Sequence, residues 1–201
     1  MGHSRGIAVW GGILLATLAP LGLAAASPLL AWRDTVYIAA GFAGIIGLCL
    51  LLVQPLLACG WAPGLAPARR RALHRWTGGA LVACVVGHVA GLWITSPPDV
   101  VDVLLFRSPT PFSVWGAIAM WALFATALLA SSRRRLRLRP RMWRLLHLAL
   151  AVVIAAGTAA HAMLIEGAME PISKAALCAL VAIAVALAAR RRLWGASGGR
   201  I

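Results

Sequence analysis

Carboxylates are nearly absent from this chain: five Asp and Glu stand against 19 Lys and Arg in 201 residues, for a formal net charge of +14. An excess of that sign raises the question of nucleic acid. Such a partner needs basic residues gathered on a folded soluble surface with groove-reading or stacking elements, and the sequence offers none, so nucleic acid is excluded. Cysteine is sparse as well. Cys49, Cys59, Cys84 and Cys178 lie in or at the ends of apolar runs without CxxC spacing. That excludes a disulfide framework or zinc ribbon and leaves small core residues. No dinucleotide fingerprint following a strand is present either.

What the chain has is apolar length. It is 62% hydrophobic with a mean hydropathy of +0.89, well beyond the roughly half-apolar mix of a soluble domain. Runs of about 17 to 25 apolar residues cross a hydrocarbon core of about 30 Å. Six such runs are expected as helices near residues 7–26, 36–59, 76–95, 112–130, 145–165 and 175–189. The expectation is an all-α, polytopic six-helix membrane bundle filling 1–201 as a single domain, with the lipid bilayer as its principal partner. The first run has small residues at 23–27 that would suit signal cleavage, but it exceeds a typical h-region of about 7 to 15 residues, so it is read as a retained helix. Pro28, Pro63, Pro97, Pro98, Pro109, Pro111, Pro140 and Pro171 punctuate the runs, while Pro20 and Pro55 fall inside helices and predict kinks.

Charge predicts the orientation. With the N-terminus inside, every basic residue except Arg33, Arg107 and Lys174 falls on the inner side, in clusters around Arg69–Arg75, Arg133–Arg144 and Arg190–Arg200, together with Arg5. Asp34, Asp99, Asp102, Glu166 and Glu170 all fall outside. This is the positive-inside pattern, and it predicts an N-in, C-in bundle in the inner (plasma) membrane. Trp32, Trp61, Trp76, Trp93, Trp115, Trp143 and Trp194 lie near helix ends, where an amphipathic ring suits the headgroup layer. Ala40 with Gly44, and Ala43 with Gly47, give small-xxx-small pairs for close helix contact.

The chemistry lies in the histidines. His74, at the start of the third helix, and His88 within it are separated by 14 positions, as are His147 and His161 of the fifth. Fourteen helical residues advance about 21 Å and fall about 40° short of four turns, so both histidines of a helix look out from nearly one face. Both helices leave an arginine-rich inner loop, so they run parallel; His74 comes level with His147 and His88 with His161. Each cross-helix pair is able to clamp a flat iron macrocycle, and axial histidine is a standard haem ligand. A lone intramembrane histidine is commonly just an interhelical hydrogen-bonding group. Two matched pairs ask for more, since ionisable residues in spans are costly and tend to be functional. Gly78, Gly79, Gly87, Gly91 and Gly157 near them leave room for a porphyrin, although helix packing alone also selects glycine. Arg71, Arg75, Arg141 and Arg144 sit where inner propionates would emerge, or serve only as topology markers. His3 matches no partner.

With Leu73-His74-Arg75, His88, Trp143-Arg144-Leu145-Leu146-His147 and His161 in these places, the sequence resembles the ferric reductase-like transmembrane domain shared by ferric reductases and NADPH oxidases, over roughly residues 35–190. The resemblance implies two b-type haems, His74 and His147 holding the inner iron and His88 and His161 the outer, with Arg75 and Arg144 beside the inner group. It implies electrons supplied inside by a reduced flavin and delivered to an acceptor outside. Few residues follow the sixth run, so no flavin or nicotinamide domain is expected, and the donor would be a separate flavoprotein reductase or a membrane quinol. In size the chain is similar to the haem-binding membrane subunit of the bacterial methionine-sulfoxide reductase system. That subunit lacks the equivalent of His74, so this likeness is partial.

The expected function is transmembrane electron transfer to an extracytoplasmic acceptor: ferric iron, oxygen or a partner reductase. Asp99, Asp102, Glu166 and Glu170 offer a way to attract ferric ions outside. A quinol-oxidising cytochrome b subunit keeps the haems and changes the donor. A metal-ion transporter ordinarily adds carboxylates or broken helices at mid-membrane, and no Asp or Glu lies within these runs. A scaffold subunit would need no cofactor.

Overall fold

The structure, a computed structural model, describes residues 2–194; Arg200, and the side chains of His3, Arg5, Arg134 and Trp194, lie outside the described residues. The chain is 84% helix without strands among the described residues. Among the described residues seven α-helices follow one another: α1 Gly2–Ala25, α2 Thr35–Cys59, α3 Pro67–Thr95, α4 Pro97–Leu104, α5 Pro111–Leu136, α6 Pro140–Leu164 and α7 Pro171–Trp194. All but the short α4 are long and apolar enough to cross a membrane, which bears out the six-helix reading.

The helices outrun the apolar runs. α3 begins at Pro67, not near 76, and α6 at Pro140, not near 145, so Arg69–Arg75 with His74, and Arg141 with Arg144, lie on helix, while Arg137 and Arg139 stay between α5 and α6. Hydropathy locates only the hydrocarbon segment, whereas arginine is a good helix former and proline suits the first turn, where its missing N–H has no intrahelical partner. Pro67, Pro97, Pro111, Pro140 and Pro171 each begin a helix. Prolines read as loop markers are thus largely helix starters. α2 opens on Asp34, whose carboxylate accepts from Val36 N at 2.7 Å, and closes on Gly60 in the left-handed region, φ 74°.

In the most apolar 18-residue window of each span only 11–39% is buried within the protein. Leu14, Leu15, Leu18, Ile46, Val86, Leu128 and Ile183 are among the large apolar residues left exposed, a surface that lipid covers and water would not tolerate. The core runs from Leu48, Leu51 and Leu52 of α2 through Leu81, Leu123 and Ile154 to the fully buried Leu177 and Val181 of α7. Cys49 and Cys178 belong to it, Cys59 and Cys84 are partly exposed, and all four are free thiols. Trp32 and Trp76 are almost fully exposed, while Trp61 packs on the core.

α2 lies along α3 and α5 along α6, with α7 against both α2 and α6. Small residues allow the closeness: a Cβ on Gly91 would come within 2.7 Å of Ala40 Cβ, and one on Gly157 within 3.0 Å of the Trp115 carbonyl. Gly91 and Gly157 therefore serve helix contact rather than a porphyrin face. α3 and α6 pack on these partners and not extensively on each other.

The arginine-bearing ends gather at one end of the bundle. Arg191 Nη1 donates to Cys59 O at 2.7 Å and Arg192 Nη2 to Ala58 O at 3.4 Å, so α7 closes on the carboxyl end of α2, as a helix dipole favours. Arg70 packs against Gly60, and Arg133 of α5 lies 4.4 Å over the Trp143 ring of α6.

Candidate functional site

The space between α3 and α6 is bridged by imidazoles at two levels. The ring centroids of His74 and His147 are 6.2 Å apart with planes at 65°. Those of His88 and His161 are 6.4 Å apart at 79°. Equal gaps at both levels mean that the two helices run parallel and in register over this stretch, as the repeated spacing predicts. With a metal–imidazole bond of about 2.0–2.1 Å and about 1.1 Å from nitrogen to ring centre, two imidazoles on opposite sides of one metal have centroids about 6.3 Å apart. Both pairs have that separation.

The backbone selects the ring nitrogen. His88 Nδ1 donates to Ala40 O at 2.8 Å and His161 Nδ1 to Phe112 O at 2.9 Å. His74 Nδ1 lies 3.3 Å from Gln54 O. A carbonyl only accepts, so a neutral imidazole so bonded carries its proton on Nδ1 and keeps the Nε2 lone pair for a metal. The outer pair is seated alike on both sides: Gly44 follows Ala40 by one turn and Gly116 follows Phe112 by one turn. A Cβ at these glycines would stand 3.1 Å from His88 Nδ1 and 2.7 Å from His161 Nδ1.

His147 is held differently. Its ring stacks on Trp143, centroids 5.1 Å apart and planes at 12°, and its Nδ1 is buried without a hydrogen-bond partner among the described residues. The Gln54 amide completes the inner level, with one end 2.8 Å from Thr77 Oγ1 and the other 2.9 Å from His74 Nδ1. Gln54 and Trp143 were not singled out as site residues by sequence. A lone amide in an apolar run and an aromatic four residues before His147 were the available signals.

A cavity of about 410 Å³ surrounds the outer pair. Helices α2, α3, α5 and α6 wall it with mostly apolar side chains around His88 and His161, and Arg33, Glu166 and Lys174 also line it. Arg75 and Arg144 are exposed at the opposite end and have no hydrogen bond or ion pair among the described residues. Asp99 accepts from Ser96 Oγ, and Glu170 caps α7 through Ile172 N and Ser173 N. Among the described residues no group of three or more His, Cys, Asp or Glu could hold a metal ion, so Asp99, Asp102, Glu166 and Glu170 form no iron-gathering cluster.

The family model of the ferric reductase like transmembrane component matches residues 40–158. The chain belongs to this family. It is thus a multi-pass membrane protein of a kind associated with transmembrane electron transfer, and ferric reductase-like domains generally bind haem. The matched segment contains His74, His88 and His147 and stops just short of His161, which the fold brings opposite His88. No curated protein and no solved structure matches the chain significantly.

The residues present fit haem. Each level would offer an iron two imidazoles from facing helices, the His88–His161 level opens on a mostly apolar cavity, and at the His74–His147 level the His147 Nδ1 is buried without a hydrogen-bond partner among the described residues.

Proposed function

We propose that this ferric reductase-like chain carries electrons across the inner (plasma) membrane through two stacked b-type haems, His74 and His147 holding the inner one and His88 and His161 the outer. The observation that carries the reading is the pair of equal imidazole gaps, 6.2 Å and 6.4 Å, at two levels of parallel helices. When bound, haem supplies one-electron transfer at each level.

The chain does the rest. Carbonyls of Ala40, Phe112 and Gln54 orient three imidazoles and raise their basicity as ligands. The lipid-facing apolar shell keeps water from the levels between. By the positive-inside rule the arginine-rich end faces the cytoplasm, with both termini there. Arg75 and Arg144 stand at that end beside the inner level, in reach of propionates and of an acidic docking partner. The donor is a flavoprotein reductase or a membrane quinol; the acceptor lies outside the membrane and is ferric iron, oxygen or a partner reductase.

The test is an absorption spectrum of the purified protein before and after dithionite. A b-type spectrum is expected, with one haem lost in His88→Ala or His161→Ala and the other retained. A protein without haem, or variants with unchanged haem content, would overturn the proposal.

A further inference from the structure

Lys174 is the chain's single lysine, and it stands in an unusual place. It lies in the first turn of α7, the positive end of that helix dipole, where a cation is disfavoured. Its side chain is buried, with 8% of its surface exposed. One of its three N–H donors is used, on Ile165 O at 2.9 Å. Among the described residues it makes no ion pair: the nearby Glu170 commits both carboxylate oxygens to the N–H groups of Ile172 and Ser173, and Glu166, which lines the same cavity, is not paired with it. A buried ammonium without a counter-charge is costly, and such groups are retained where an anion completes them.

Lys174 lines the cavity that holds His88 and His161, and so does Arg33. Arg33 sits at the opening of α2, its guanidinium 5.1 Å from the Tyr37 ring centre. Two of the few basic residues away from the arginine-rich end thus converge on one apolar cavity. A cavity with a metal-ligating pair in its wall and two cations along its lining suits a flat apolar group with carboxylate arms.

We infer that Lys174, with Arg33, is the carboxylate-binding end of the His88–His161 cavity and receives the propionates of the porphyrin held there. This rests on the proposed haem ligation. Lys174, buried and with two donors to spare, makes the direct contact, and the exposed Arg33 adds charge from the rim.

The test is a redox titration of the purified full-length protein, with the outer centre identified as the one missing in His88→Ala. Lys174→Gln keeps a donor for Ile165 O and removes the charge. The uncompensated carboxylate then favours the ferric form, and the reduction equilibrium constant of the outer centre is expected to fall about tenfold, about 59 mV for one electron. The inner centre stays unchanged. Lys174→Arg holds the wild-type value, and Arg33→Gln, at an exposed position, shifts the same centre downward by less. An unchanged outer potential in Lys174→Gln, or equal shifts of both centres, overturns the assignment. Should Lys174→Gln not fold, an unshifted Arg33→Gln overturns it. A wild-type protein without haem instead defeats the ligation reading beneath it.

Discussion

His161 reaches the Phe112 carbonyl, 2.9 Å from its Nδ1, because Gly116 one turn later has no side chain; a Cβ there would stand 2.7 Å from the same nitrogen. Gly44 plays the same part for His88 at 3.1 Å. Gly116→Ala is therefore expected to push His161 off its carbonyl and cost the outer haem while the inner one stays. Gly44→Ala, with a few tenths of an ångström more room, should lower outer-haem occupancy less. Haem-to-protein ratios of the two purified variants check the order.

Trp143 supports His147 by stacking at 5.1 Å, in place of the hydrogen bond that orients the other three imidazoles. Trp143→Ala should loosen the inner haem alone, raising its rate of transfer to a scavenging apoglobin severalfold, and Trp143→Phe should largely restore it. Equal release from both levels would speak against this support.

Much of this was legible in the sequence. Six apolar runs specified six spans because backbone polar groups in lipid leave no alternative to helices of that length. The repeated 14-residue spacing specified two facing pairs because helical periodicity fixes which residues share a face. The rest was not legible, for physical reasons. Helix starts at Pro67 and Pro140 lie in arginine-rich segments that hydropathy scores as loop. α4 is too short to register beside Pro97 and Pro98. Carbonyls such as those of Ala40 and Phe112 carry no side-chain signature, and Lys174 read as an outer-loop charge until packing showed it buried in the cavity wall.

Gly60 ends α2 at φ 74°, and the Arg70 guanidinium occupies the place a Cβ would need. Left-handed backbone costs a side-chain-bearing residue about 1–2 kcal/mol, and Arg70 would also have to move. Gly60→Ala should lower the thermal midpoint in detergent, with Arg70→Ala in the same chain recovering part of the loss.

Glu170 caps α7. The N–H groups of Ser173 and Ile172 hold its carboxyl below the ordinary glutamate value of 4.5. Because the folded value is the lower one, the cap is at full strength above about pH 5 and is lost as pH falls through the folded value. Amide exchange at Ile172 and Ser173, corrected for intrinsic rates, should show protection falling in acid in the wild type. In Glu170→Gln protection should be lower throughout and flat with pH.

The most direct measurement of two imidazole-clamped levels is low-temperature electron paramagnetic resonance of the oxidised, purified protein. Ring planes crossed at 65° and 79° predict strongly anisotropic low-spin ferric signals integrating to two spins per chain, with one removed by replacing His161. High-spin iron with an open axial position, a single spin per chain, or no haem signal would contradict the account.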